Sequence, residues 1–270
     1  MNYSSFTFSK YEGTGNDFIL IDDRRGEFPI VKEQIVRKCH RQFGIGADGL
    51  ILLQPSKKAD FCMRIFNADG TEAEMCGNGL RCLVHFLKKL HITGDTFQIE
   101  TLDRVYGCTI EKEKVSIRMG KPQWFEENGV LSLGDERIEY SWLHMGVPHL
   151  IVFVEDLLVD DFHEKGKLLR NHPHFAPFGV NVTFAKVESS TLIRIRTFER
   201  GVEKETLACG TGASAVCAAA WKKGVIDTNV IIEFLSKEQL QFSLNNNEIY
   251  MKGPVRNVFD GSFIWNSEEV

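Results

Sequence analysis

The chain has 270 residues, enough for two modest domains or one large one, and its 43% hydrophobic and 26% charged content is that of an ordinary soluble globular protein. A net charge of −5 argues against nucleic acid or an anionic membrane surface as the main partner, because both select basic faces. No apolar stretch is long enough to span a bilayer, no secretory signal opens the chain, and seven scattered cysteines read as reduced thiols in a cytoplasmic compartment.

In chain order, β-branched or aromatic runs bounded by Gly, Asn or Asp predict strands over 18–21, 49–53, 61–66, 97–101, 106–110 and 115–119 in the first half. The second half carries them over 150–154, 192–197, 230–234 and 248–252. Helices are predicted over 32–41, over 78–90 with Leu80, Val84, Leu87 and Leu90 at helical spacing, and over 211–223 in an Ala-rich run.

The chain is written twice. Residues 63–82 set beside 195–215 match Arg64 with Arg196, Phe66 with Phe198, Glu72 with Glu205 and Cys76 with Cys209, an offset of 209 − 76 = 133. Gly-x-Gly follows both cysteines, and the second copy carries one extra residue between Phe198 and Glu205. Upstream, GNDFILID from Gly15 echoes GVPHLIVF from Gly146, and Gly44-Ile45 falls opposite Gly179-Val180. Duplication and fusion of a half-length domain is the economical reading. The expected fold is α+β: two pseudo-symmetric duplicated domains, each a curled, barrel-like β-sheet around a central helix, with the active site in the interdomain cleft. The expected bounds are 1–119 plus 257–270 for the N-terminal domain and 120–256 for the C-terminal one.

Each Cys-Gly-x-Gly has its own chemistry. Glycine lets backbone approach a ligand closely, and the helix that follows presents unpaired N–H groups and the positive end of its dipole. Such an end binds a carboxylate or a phosphate and lowers the pKa of a nearby thiol. Two of them, brought together by a pseudo-two-fold axis, would grip one carboxylate with a thiol on either side. That suits inversion of a carbon centre: one thiolate removes a proton and the opposite thiol returns one to the other face. Cys39, Cys62, Cys82, Cys108 and Cys217 read as packing. Arg64 and Arg196 read as braces of the duplicated fold, and His40, His85, His91, His172 and His174 as solvated or capping. Cys62, Cys76 and Cys82 fit no usual zinc spacing, which weighs against a redox or metal protein.

Over its whole length the chain resembles the diaminopimelate epimerase family, in GTGNDFILID, FGIGADGL, FNADGTEAEMCGNGLRC, GVPH, GVNVTF and ERGVEKETLACGTGASA. The resemblance implies a cofactor-independent epimerase interconverting LL- and meso-2,6-diaminopimelate in lysine and peptidoglycan-precursor synthesis, without pyridoxal phosphate or metal. It implies that Cys76 and Cys209 are the catalytic acid/base pair, with His149 and Glu199 orienting and tuning the thiols and Glu199 also facing the substrate ammonium. Gly77, Asn78, Gly210 and Thr211 then form the carboxylate cradle, while Asn16, Asn67, Asn181 and Arg200 hold the rest of the substrate. The partner is a small-molecule amino acid, with no nucleic acid and no membrane, and a homodimer is compatible with the reading.

The chain departs from the family's usual pattern at Val147, where Asn is usual, and at Gly49, where Gln is common. The third departure is the extra residue at Glu203-Lys204. An apolar Val147 in place of an amide weakens discrimination for a polar substrate end. The second reading is therefore a racemase of broadened specificity that also takes glutamate or a similar acidic amino acid.

Overall fold

A computed structural model describes residues 3–158 and 161–266, so the outermost residues of the expected domain bounds lie outside it. The chain divides into two compact units, Met1–Ile117 with Gly253–Val270, and Arg118–Lys252. The first unit holds β1 (Tyr3–Gly13), β2 (Asn16–Asp22), α1 (Lys32–Cys39), β3 (Gly49–Gln54), β4 (Phe61–Asn67), β5 (Glu72–Ala73) and α2 (Gly77–Lys89), then β6 (Thr96–Glu100), β7 (Val105–Glu111) and β8 (Lys114–Gly120). The second holds β9 (Gln123–Leu133), β10 (Glu136–Met145), β11 (Val147–Phe153), α3 (Phe162–Arg170), β12 (Asn181–Ser189), β13 (Leu192–Glu199), β14 (Lys204–Thr206), α4 (Gly210–Lys222), β15 (Asn229–Phe234), β16 (Gln239–Asn245) and β17 (Glu248–Pro254). One last strand, β18 (Arg256–Asn266), returns to the first unit.

The strands of the two units follow one topology. In the first unit β18, β1 and β2 run antiparallel, β2 pairs parallel with β3, β3 antiparallel with β4, and β4 parallel with β6 before the β6–β7–β8 meander. In the second, β9, β10 and β11 run antiparallel, β11 pairs parallel with β12, β12 antiparallel with β13, and β13 parallel with β15 before β16 and β17. The registers also coincide. Phe18 pairs with Gly49 and Leu50 with Phe66, while His149 pairs with Asn181 and Val182 with Phe198. Phe18 thus corresponds to His149, Gly49 to Asn181 and Asn67 to Glu199.

A parallel pair needs a crossover, and each unit makes two. α2 and α4 are the crossovers inside the sheets. Each is 13 residues long, and each is buried nearly all round, from Gly77 to Leu87 and from Gly210 to Ala220. A helix without a polar face is stable only when enclosed. α2 packs on β1, β2, β3, β4 and β7, and α4 on β10, β11, β12 and β16. α1 and α3 cover the other face, where Ile35 meets Ile19, Leu50 and Phe66, and Phe162 and Leu169 meet Leu150, Val182 and Phe198. Strands covered on both faces read as apolar runs, as FIL in β2, LILL in β3 and LIVF in β11 do.

The Gly44 and Gly179 echo has a shared cause. A Cβ at either would strike the carbonyl of Arg37 or Arg170 in the last turn of α1 or α3. From these glycines the first repeat takes five residues to reach Gly49, and the second takes two to reach Asn181. The first repeat therefore carries three additional residues here, in the stretch that includes Asp48. Arg64 grips Glu72 at 2.6 and 2.8 Å, and Arg196 grips Glu205 at 2.8 Å with both nitrogens, as braces of the same hairpin in each unit.

Candidate active site

Each unit carries one thiol at the entry to its central helix. Cys76 (φ −142°, ψ 114°) and Cys209 (φ −121°, ψ 104°) are both extended N-cap residues. β4 and β13 bring the chain in, the β5 and β14 hairpins return it, and the cysteine turns it into the helix.

In the first unit the Cys76 sulfur accepts the Gly79 N–H at 3.5 Å, placing it within the first helical turn. Its thiol faces Asn16 Oδ1 at 3.7 Å, and that oxygen also receives Asn78 Nδ2 at 3.4 Å. Asn16 Nδ2 donates to Asp48 Oδ2 at 2.6 Å. Asn16, Cys76, Gly77 and Asn78 thus stand together. Asn67, at the end of β4, turns its amide to Thr71 Oγ1 at 3.1 Å.

In the second unit Cys209 is buried, with its sulfur 3.9 Å from Glu199 Oε1 and 3.5 Å from Thr211 Oγ1. Burial pushes the Glu199 carboxyl above the ordinary glutamate range, and the hydrogen bond from Cys209 opposes that rise. The extra residue of this repeat sits in the hairpin loop. Three residues separate Asn67 from Thr71, and four separate Glu199 from its partner Lys204. Glu203 takes a left-handed φ of 56° and its N–H closes on the Glu199 carbonyl at 2.8 Å, so the insertion leaves Glu199 beside the thiol. Asn181 Oδ1 accepts the Arg200 backbone N–H at 2.7 Å, and Arg200 Nη1 donates to the Phe178 carbonyl at 3.2 Å.

His149 is wholly buried, and among the described residues neither ring nitrogen has a hydrogen-bond partner. Burial, then the nearby His144 and Arg200, lowers its pKa to about 3, so the ring is neutral at pH 7. The expectation that it orients a thiol therefore rests on no hydrogen bond within the protein. A neutral imidazole with both nitrogens unsatisfied is instead suited to receive a ligand.

Sequence reasoning did not single out several neighbours. Arg41 bridges Asp17 at 2.8 and 3.0 Å and Asp48 at 2.7 Å, and Lys10 pairs with Asp17 at 2.8 Å. Thr183 and Thr197 are 3.1 Å apart and buried, with the Thr183 hydroxyl beneath Gly212, where the first unit has Ile51 and Ile65 beneath Gly79. The repeat itself held the signal, since apolar positions of one copy are hydroxyls in the other. Among the expected capping histidines, His40 Nδ1 accepts the N–H of Gln42 and Phe43, and His172 Nδ1 that of His174. All seven cysteines are free thiols, and among the described residues no three His, Cys, Asp or Glu side chains gather into a metal-sized cluster.

The diaminopimelate epimerase family profile matches residues 8–125 and again 141–258, one copy per repeat. The chain belongs to the diaminopimelate epimerase family. As a member it is an isomerase. It is 38% identical to the diaminopimelate epimerase of Aquifex aeolicus (strain VF5), over 97% of this chain and 98% of the relative. It is 40% identical to that of Microcystis aeruginosa (strain NIES-843 / IAM M-2473), over 95% and 98%. Solved structures share the epimerase's fold at low identity. A hydroxyproline epimerase from Agrobacterium vitis superposes with TM-score 0.76 at 15% identity, covering 98% of this chain and 94% of that one. A Bacillus anthracis phenazine biosynthesis protein of the PhzF family superposes with TM-score 0.71 at 15% identity, covering 96% and 99%. Among the described residues no helix of this epimerase is long and apolar enough to cross a membrane.

Proposed function

We propose that the protein interconverts LL- and meso-2,6-diaminopimelate by two-base proton transfer, with Cys76 and Cys209 as the acid/base pair. The observation that carries this reading is the repetition of one device: a cysteine N-cap on a buried 13-residue helix, once in each repeat. The thiolate of one cysteine takes the α-proton and becomes a thiol. The thiol of the other gives a proton to the opposite face and becomes the thiolate, so charge and protons balance and the roles exchange in the reverse direction. The α-carbon is weakly acidic, and the N–H groups of both helix starts, through Gly77, Asn78, Gly210 and Thr211, stabilise the charge that builds on the carboxylate. The scheme requires neither pyridoxal phosphate nor a metal.

Within this reading, Glu199 and the unsatisfied ring of His149 receive the ammonium of the reacting centre, and Glu199 tunes Cys209. Asn16, Asn67, Asn181 and Arg200 hold the remainder, Arg200 being suited to a distal carboxylate. The domain boundaries fall near residues 119/120 and 256/257, the enzyme works in the cytoplasm, and a homodimer is compatible with it. The full-length resemblance to proteins named diaminopimelate epimerase favours this substrate over a broadened specificity that includes glutamate. Incubation with LL-diaminopimelate and, separately, L-glutamate, followed by chiral separation, tests the reading. Appearance of the meso isomer with no D-glutamate is the expected result; inert diaminopimelate would overturn it.

A further inference from the structure

Asn16 can face Cys76 with either end of its amide, and one end has the opposite effect on the sulfur from the other. A carbonyl oxygen accepts from a thiol and disfavours the thiolate, whereas an amide NH2 donates to a thiolate and favours it. The surrounding groups leave one choice. From one side, the buried Arg81, which has no acceptor, donates Nη2 to Thr14 Oγ1 at 2.5 Å. The Thr14 hydroxyl passes its own hydrogen to Asn78 Oδ1 at 3.4 Å, which leaves Asn78 Nδ2 to donate to Asn16 Oδ1 at 3.4 Å. From the other side, the Asp48 carboxylate, which has no donor, takes Asn16 Nδ2 at 2.6 Å and the Asp17 N–H at 3.2 Å. The Asp48 bond is the short, charge-assisted one, and Arg41 holds that carboxylate through its second oxygen at 2.7 Å.

We propose that Asp48 is a positioning residue for Cys76: its carboxylate fixes the Asn16 amide with the oxygen toward the sulfur, and so opposes the helix start in setting how readily the thiol ionises. Asp48 lies in the stretch where the first repeat is longer, and Cys209 is paired instead with Glu199, so the device belongs to one thiol only. Of the charged and titratable groups nearby, Arg81 and Cys82 on α2 act on Cys76 and Glu12 on β1 acts on both of them, while Asp48 stands behind Asn16, joined through Arg41 to Asp17 and Lys10. The inference rests on the proposed catalytic role of Cys76, but its test does not.

The test is the pH dependence of iodoacetamide alkylation at Cys76, read by peptide mass spectrometry in the full chain, for Asp48→Ala, Asn16→Ala and the double variant. Asp48→Ala removes the shorter of the two restraints on the amide and lets its NH2 turn to the sulfur more often, so Cys76 alkylates roughly threefold faster at pH 7, a fall of about half a pKa unit. In the Asn16→Ala background the same substitution has little further effect. An equal acceleration in both backgrounds would show Asp48 acting only as a distant charge, and no acceleration in either would show no coupling; both overturn the proposal. If Asp48→Ala does not fold, Asp48→Ser, which also removes the carboxylate from this partly exposed position, carries the same cycle. A chain inert toward diaminopimelate that still shows the coupling would sink the functional reading and leave this one standing.

Discussion

Phe18 and His149 occupy the same place in the two ladders, Phe18 opposite Gly49 and His149 opposite Asn181. Both are buried, so the second repeat accepts a polar ring where the first has an apolar one. A buried ring with no partner is costly, and here the cost has a pH signature. His149 is held neutral with a pKa near 3 against an ordinary 6.5. Below pH 6.5 the unfolded chain takes up a proton that the folded chain refuses, so stability is lost as pH falls from about 6.5 toward 3. Between pH 7 and 5 this one residue removes about 2 kcal/mol. Urea unfolding of His149→Phe, which copies the first repeat, should show a correspondingly flatter dependence on pH, with epimerase activity abolished.

Glu199 has the opposite sign of shift. Its carboxyl is raised by burial, so the folded protein protonates it at a pH where an exposed glutamate is still charged. Activity should therefore fall on the acid side at a pH above the usual glutamate range. Glu199→Gln, which keeps the shape and removes the charge, should lower kcat/KM by about a hundredfold and abolish that acid limb. An unchanged limb would assign it to another group.

Gly49 stands where the family often has Gln, and the structure gives a local reason. A Cβ there would lie 2.6 Å from the Phe66 carbonyl, a backbone atom that cannot swing aside. Gly49→Ala is expected to cost about 1–3 kcal/mol in denaturant unfolding. Its effect on catalysis would follow from displacement of β3 and β4 rather than from loss of a substrate contact.

The two arginine braces differ in setting. Arg196 is the more buried, stacks 3.9 Å over the Phe162 ring and donates to the Leu157 carbonyl at 2.8 Å; Arg64 lies 5.2 Å from the Phe66 ring. Arg196→Ala should destabilise by about 2 kcal/mol and Arg64→Ala by about half as much. Each should retain kcat/KM within about threefold, since neither touches the cysteines. Equal losses in thermal and urea unfolding would contradict the distinction.

Much of this was legible in the sequence because duplication doubles every signal. The two Cys-Gly-x-Gly helices begin one residue earlier than expected, because the cysteine itself is the N-cap. The strands expected from β-branched runs are all present. β1, β5, β9, β10, β12, β14, β16 and β18 were not expected. In the longer of these, polar and charged residues interrupt the apolar ones, as in FTFSKYEG and WFEENGVLSL, and such strands declare themselves only through their neighbours. α3 was hidden by Gly166, a poor helix former that is needed where α3 lies against Phe198. The Asp48, Arg41 and Asp17 cluster was unreadable because its members come from three separate segments that only the fold assembles.

The central claim is that Cys76 and Cys209 each serve one face of the same carbon, and solvent deuterium reads this directly. LL-diaminopimelate incubated in deuterium oxide with the wild-type enzyme should gain one α-deuterium for each inversion. Cys76→Ala and Cys209→Ala should each abolish inversion, with at most one-sided exchange remaining. Inversion at the wild-type rate in either variant would contradict the two-thiol mechanism.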